Sequence, residues 1–341
     1  MHVHFTYAGG TIGMIDSPGG LHPGADLETW LTDLLDAFPA SLTPIGTATV
    51  TTLQPLIDST QAAPSTWQAI VDDIRAHARA DAFVVLHGTD TMAYTAAALS
   101  YALTGLSQPV VITGSQLPLS AAGSDAPANV VGAVQAVLGG ATSGVQLFFG
   151  GRLLAGNRAT KTSTWSFQGF DSPSTAPLAC AGAPWRWSGP AESEADTGWR
   201  SPRPFRRHDV VVVDVVPGLT DTRLAALLEP PPVAAVLRAY GVGNLPTELT
   251  TVIADAVKTG VTVVVTSQCL QGTVEFGRYA VGNPVAAAGA VSGGDMTLEA
   301  AYAKLQFLAS QGLRGAELGA WMGRNLAGEL TEPSTPLHRD R

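Results

Sequence analysis

A regular alternation constrains this chain more than any other feature. Short runs rich in Val, Ile and Leu are each followed by a longer stretch with apolar residues at helical spacing, and the pair recurs through the first half. Residues 2–7, 46–53, 83–86, 109–113 and 145–149 read as strands. Between them, residues 26–38 line up Leu27, Trp30, Leu31, Leu34, Leu35 and Phe38 on one face, and residues 64–79, 91–103 and 127–138 are further helices. Strand–helix units of this length join by right-handed crossovers. The expected architecture is therefore α/β, with a large N-terminal, doubly wound, mostly parallel sheet.

The pattern breaks at 182–208, a stretch rich in Pro, Gly, Ser and charge that reads as an interdomain linker. A smaller C-terminal α/β set follows, with strands at 209–215, 235–237 and 261–266 and helices at 221–228, 247–258, 297–310 and 316–326. The expected division is thus 1–181, 182–208 and 209–341, which suits a chain of 341 residues.

Composition excludes several classes of function. Acidic residues outnumber basic ones, 28 to 19, and the longest basic cluster is Arg206, Arg207 and His208, which argues against a nucleic-acid surface. No run approaches 18 unbroken apolar residues, so no membrane span is expected. Two cysteines, Cys180 and Cys269, cannot build a disulfide framework and read as small core residues in a reducing compartment. The opening MHVHFTYAGG resembles a strand more than a signal peptide, and a soluble cytoplasmic protein is the expectation.

Chemistry-bearing residues gather where the strands end. The first strand runs into Ala8, Gly9, Gly10 and Thr11, and the second into Asp58, Ser59 and Thr60. The third runs into His87, Gly88, Thr89, Asp90 and Thr91, and the fourth into Thr113, Gly114, Ser115 and Gln116. In an open α/β sheet these turns face one crevice, where ligands bind. Each also has a plainer reading: a helix cap for Thr89 to Thr91, a tight turn for Gly9 and Gly10. The Gly-Gly turn lacks the lysine of a P-loop and the spacing of a dinucleotide fingerprint. His2 and His4 share a strand face without further ligand spacing and read as structural; Trp165, Trp185 and Trp187 read as packing residues.

Two segments, Tyr7-Ala8-Gly9-Gly10-Thr11-Ile12-Gly13-Met14 and Val85-Leu86-His87-Gly88-Thr89-Asp90-Thr91-Met92, resemble the two signatures of the bacterial-type L-asparaginase family. Further similar segments run almost the whole chain: Pro55 to Ser59, Ile112 to Pro118, Gly156 to Lys161, Leu237 to Asn244, and Gly293 to Glu299. The first, fourth and fifth of these look most like the cytoplasmic, type I branch. The resemblance implies an asparaginase-like fold that hydrolyses L-asparagine to L-aspartate and ammonia with a threonine nucleophile, without metal or cofactor, in a homodimer or homotetramer.

Residue by residue, Thr11 matches the family's nucleophile and Thr89 its second essential threonine, with Asp90 and Lys161 beside it. Ser59 and Asp90 match residues that hold the substrate's α-carboxylate and α-amino group. Asp58, Thr60, Ser115 and Gln116 are implied pocket residues, and Asn244 matches one that enters from a neighbouring subunit. Arg238 and Cys269 match a regulatory asparagine site of some cytoplasmic relatives; for Arg238 an interface ion pair is the other reading. Two alternatives share the core motif: the glutaminase subunit of a tRNA amidotransferase and a non-catalytic amino-acid sensor.

The chemistry fits those residue types. A threonine hydroxyl is a weak nucleophile until a neighbour takes its proton. Lys161 could do so only with its ammonium pKa brought down from about 10.4; a charged Lys161 that simply pairs Asp90 is the competing reading. Backbone N–H groups at Gly88, Thr89 or the start of the following helix could hold a developing oxyanion. One departure stands out. The family places a tyrosine about ten residues after the first threonine, and here that position is Leu21. Either another group activates Thr11, with His22 the expected substitute because an unperturbed imidazole suits proton transfer near neutrality, or turnover is reduced.

Overall fold

β1 (His2–Gly9) is buried along nearly its whole length, and both of its faces are used. Val3, Phe5 and Tyr7 enter one apolar cluster, whereas His4 and Thr6 point to the other side. A short turn (Thr11–Gly13) follows, then a two-stranded ribbon of β2 (Met14–Ile15) and β3 (His22–Pro23). The chain continues through α1 (Leu27–Asp36), β4 (Thr47–Ile57), α2 (Pro64–Ala76), β5 (Ala82–Leu86), α3 (Met92–Ala102), β6 (Pro109–Thr113), α4 (Ala126–Gly139) and β7 (Gly144–Phe149). Then come β8 (Arg152–Ala155), β9 (Thr160–Lys161), β10 (Phe170–Asp171), β11 (Ala179–Cys180) and β12 (Arg186–Trp187). This computed structural model describes residues 1–15, 17–20, 22–37, 45–141, 143–188, 199, 201–276 and 283–331.

The larger sheet runs β12-β11-β8-β7-β6-β5-β1-β4. Its five strands from β4 to β7 are parallel, and β8, β11 and β12 add an antiparallel edge. Among the parallel strands the order is second, first, third, fourth, fifth. The winding therefore reverses between β1 and β5, and that switch point is where an open α/β sheet forms its crevice. α1 and α4 cover one face and α2 and α3 the other. α3 is Ala-rich because it is sandwiched: α8 (below) packs on its outer side, and Tyr101 donates to the Ala300 carbonyl there.

β13 (Val210–Asp214), α5 (Asp221–Leu227), β14 (Ala234–Ala239), α6 (Leu249–Lys258), β15 (Thr262–Ser267), α7 (Asn283–Ala287) and β16 (Val291–Ser292) build a second sheet, parallel, ordered β13-β14-β15-β16. α8 (Leu298–Ser310) and α9 (Gly315–Met322) close the described chain. The fold is thus a large, mostly parallel sheet with a smaller α/β unit. No helix among the described residues is long and apolar enough to cross a membrane.

The 182–208 stretch is less slack than its composition suggests. β12 lies inside it, and beyond residue 200 the backbone N–H groups of Arg203, Phe205, Arg206 and His208 donate to side chains of Gln311, Gln68, Ser310 and Gln306. Residues 189–198 and 200, and Phe38 of the α1 stripe, lie outside the described residues.

Two expectations need correction. Cys180 and Cys269 are exposed, not core residues. On β11 the period of two sends Ala179 inward and Cys180 outward, and Cys269 lies beyond the end of β15. Trp165 is 84% exposed, on the loop between β9 and β10, whereas Trp185 does pack, between Phe148 and Trp187. The expectation that His2 and His4 are structural acquires partners: His4 bonds Asp73 at 3.1 Å, and His77, at the C-terminal cap of α2, stacks on His4 at 3.7 Å. Those two rings are nearly parallel, so their in-plane lone pairs do not converge on one point.

Candidate active site

Glycine brings the strand ends together. Gly9 and Gly10 both have positive φ, 123° and 99°, which a side chain would resist. Space matters as much: a Cβ on Gly9 would fall 2.8 Å from the Ile57 nitrogen, and one on Gly10 would strike the backbone of Gly88. The turn carrying Thr11 is thereby pressed between the end of β4 and the turn after β5. Gly88 is itself crowded, since a Cβ there would fall 2.5 Å from the Ser59 hydroxyl. Gly10, Gly88 and Ser59 thus fix three turns against each other at the switch point.

Each turn is also braced from within. Asp58 caps the short turn after β4, accepting from the Thr60 N–H at 2.9 Å, and Thr91 donates to the Ser59 carbonyl at 2.7 Å. His87 is fully buried: its Nδ1 donates to the Gly88 carbonyl and its Nε2 accepts from the Thr95 hydroxyl. Burial pushes its pKa down to about 4, so the ring stays neutral and the tautomer is set by these two bonds.

Lys161 reaches this cluster from β9, which pairs with β10 opposite Phe170. Its Nζ donates to the Thr89 hydroxyl at 2.8 Å and to the Asp90 carboxylate at 2.7 Å. Thr89 and Lys161 are largely buried, whereas the Asp90 carboxylate is 57% exposed and faces the crevice mouth. The neighbouring Thr160 points the other way and donates to Glu299, whose carboxyl is pushed up by burial. A nucleophile-type hydroxyl, a cation and a carboxylate therefore sit in hydrogen-bond contact beside a second threonine turn. That set can move a proton at a hydroxyl and hold an ammonium.

The other expected residues divide. Ser115 donates to the Leu117 carbonyl at 2.5 Å, and Gln116 reaches the Ser166 carbonyl at 3.1 Å. Asp125, missed from sequence, holds this loop by accepting from the Gln116 and Leu117 N–H groups. Arg238 pairs with Asp214 at 2.7 Å. Arg238 and Cys269 line, with Lys161 and Glu299, a cavity of about 280 Å³ between the two sheets. Among the described residues Asn244 bonds the Tyr240 backbone through main-chain groups and makes no hydrogen bond to the cluster. His22 sits on β3 opposite Ile15, and Leu21 lies outside the described residues. Asp125 carries no spacing signal that would have singled it out.

A larger cavity, about 890 Å³, opens beside Ser174, Val274, Asp295 and Leu330. Its buried carboxylate is already committed. Burial would raise the Asp295 carboxyl, but Thr331 and Arg158 outweigh it and hold it low. The convergent polar groups lie at Lys161 instead.

Comparison with known proteins identifies the family. The family model described as "Asparaginase, N-terminal" matches residues 2–191, and "Glutaminase/Asparaginase C-terminal domain" matches 209–322. L-asparaginase 1 of Escherichia coli (strain K12) is 39% identical over 333 residues, 96% of this chain and 98% of that one. Crystalline L-asparaginase I from Vibrio cholerae is 38% identical with a TM-score of 0.85, covering 97% and 99% of the two chains. A glutamyl-tRNA(Gln) amidotransferase chain of Aeropyrum pernix is 34% identical over 289 residues, but those span 66% of its length. With both halves matched and the relatives aligned almost end to end, this chain belongs to the asparaginase family.

Proposed function

We propose that this chain is an L-asparaginase, hydrolysing L-asparagine to L-aspartate and ammonia. Near full-length identity to L-asparaginase 1 supports the activity. The single geometric observation that carries it is the Lys161 ammonium bridging Thr89 and Asp90, in a turn packed against the Thr11 turn. Thr11 attacks the side-chain amide carbon, ammonia leaves as the C–N bond breaks, and water then cleaves the threonine ester to release aspartate. Lys161 and Thr89 form the proton path, and Asp90, exposed at the mouth, holds the substrate's α-ammonium with Ser59 near its carboxylate. Asp58 and Thr60 shape that corner, and Ser115 and Gln116 shape the loop opposite. Donors along the Gly88 and Thr89 backbone face the developing oxyanion.

Asn244, without a side-chain bond among the described residues, supports a homo-oligomer in which it completes a neighbour's site. The reading includes a cytoplasmic setting and two units, 1–181 and 209–341, connected by 182–208. A regulatory asparagine site at Arg238 and Cys269 draws on their shared cavity with Lys161; hyperbolic kinetics in the wild type would remove it.

The deciding assay is ammonia release from asparagine and from glutamine, for wild type, Thr11→Ala and Thr89→Val. Wild-type turnover lost in both variants supports the mechanism. Binding without turnover favours the sensor, a glutamine preference favours the amidotransferase-type glutaminase, and turnover surviving both substitutions overturns the assigned site.

A further inference from the structure

Tyr7 carries a polar group that the mechanism above leaves idle. It is the last aromatic side chain of β1, only 2% exposed, and its hydroxyl has no hydrogen-bond partner among the described residues. Burial pushes its pKa up to about 12, so the group remains a protonated donor at any working pH. An orphaned buried hydroxyl is uncommon, because it forfeits its bonds to water for nothing in return.

The hydroxyl lies against the turn that carries Thr11. A Cβ built on Gly13 would fall 2.6 Å from the Tyr7 ring carbon that bears the oxygen, and nearer still to the oxygen itself. Glycine at position 13 is what lets the phenol end come up under the turn. The backbone carbonyls of this turn are already engaged. Gly10 accepts from Gly13, Thr11 from Met14, Ile12 from Leu119, and Gly13 from Gly24 and Ala25. Two side-chain hydroxyls remain without a bond among the described residues: Tyr7 beneath the turn and Thr11 at its start.

We propose that Tyr7 is a positioning residue for Thr11. In the substrate-loaded conformer its hydroxyl takes up a hydrogen bond to the Thr11–Gly13 turn and so selects the reacting orientation of the nucleophile. Among the described residues the hydroxyl has no partner, and loading the crevice gives it one, so the turn is biased toward the reacting state when substrate is present. This inference rests on the reading of Thr11 as nucleophile.

Tyr7→Phe tests it, because the ring and its packing are kept and only the oxygen is lost. A residue that merely holds the resting fold and a residue that positions the turn predict opposite things. Removing an unpaired buried hydroxyl leaves the thermal midpoint of the free enzyme unchanged or higher. Losing its bond in the reacting conformer lowers kcat by about tenfold, with KM for asparagine nearly unchanged. A kcat within twofold of wild type overturns the proposal, and so does a fall in kcat accompanied by a lower thermal midpoint. Thr11→Ala, assayed beside it, separates the two levels: turnover that survives Thr11→Ala removes the nucleophile assignment itself, whatever Tyr7→Phe does.

Discussion

The contact between Gly10 and Gly88 lets the geometry of the site be tested with one methyl group. In Gly10→Ala the new Cβ would fall 2.9 Å from the His87 carbonyl carbon and closer still to the Gly88 backbone. None of these atoms is the end of a flexible side chain, so the turns themselves must part. Reaching an ordinary separation means opening the Thr11 turn from the Thr89 turn by about 1 Å, a displacement that costs on the order of 100-fold in rate when it separates reacting groups. The positive φ of 99° adds strain of about 1–2 kcal/mol to folding. Gly218→Ala is the control, since Gly218 has a similar φ of 92° and open space around its Cβ. Both variants are assayed for kcat/KM by ammonia release and for stability by urea denaturation. Gly218→Ala should lose stability but keep its rate, while Gly10→Ala loses both. A folded Gly10→Ala enzyme within threefold of the wild-type kcat/KM would refute the claim that this contact sets the distance between the threonines.

Two other predictions concern folding. His87 has a folded pKa of about 4 against 6.5 in the unfolded chain, so between those values the unfolded state binds a proton the fold refuses. Its stabilising share is complete above about pH 6.5 and is lost as pH falls toward 4, roughly 3 kcal/mol in all. Urea melts at about pH 7 and pH 4.5 should show a steeper loss in the wild type than in His87→Gln, and equal slopes would contradict it. Lys304 and Glu329 form a wholly buried pair at 2.6 Å, the lysine also donating to the Met322 and Arg324 carbonyls. Lys304→Met strands a buried carboxylate and should cost about 3–5 kcal/mol of unfolding free energy. Pairing it with Glu329→Gln should recover part of that loss; a single-variant loss below about 1 kcal/mol would contradict the assignment of the pair.

Most of the parallel strands are legible as runs of β-branched and large apolar residues buried on both faces, the exposed edge strand β4 through its β-branched residues alone, and the helices between them because their stripes hold the period of an amphipathic surface. Two-residue strands such as β11, β12 and β16 are too short for their alternation to be recognised in sequence. β4 runs on to Ile57, past the expected end at 53, although Pro55 has no N–H to give; as an edge strand it can spare one. At the site, the gathering of strand ends follows from topology. The bond from Lys161 to Thr89, 72 residues away, does not, and only the family resemblance suggests it. Trp165 escapes a sequence reading because an isolated aromatic says nothing of whether a core lies within reach. The role expected of Asn244 lies across an interface, a matter no single chain contains.

The apolar cluster that fills the space under α2 and α3 does not stop at the boundary between the sheets. It runs from Ala8, Phe83 and Ile112 through α3 to Val236 and Val264 of the second sheet, and on to Phe307, Leu318 and Leu326. Each half also has a cluster of its own, but this one is shared between them, so either half produced alone would present a broad greasy face to water. The two sheets should melt in one transition. If occupancy of the cavity beside Arg238 is felt at Lys161, the message must pass by small shifts of side chains within a rigid body, since the halves are not free to swing.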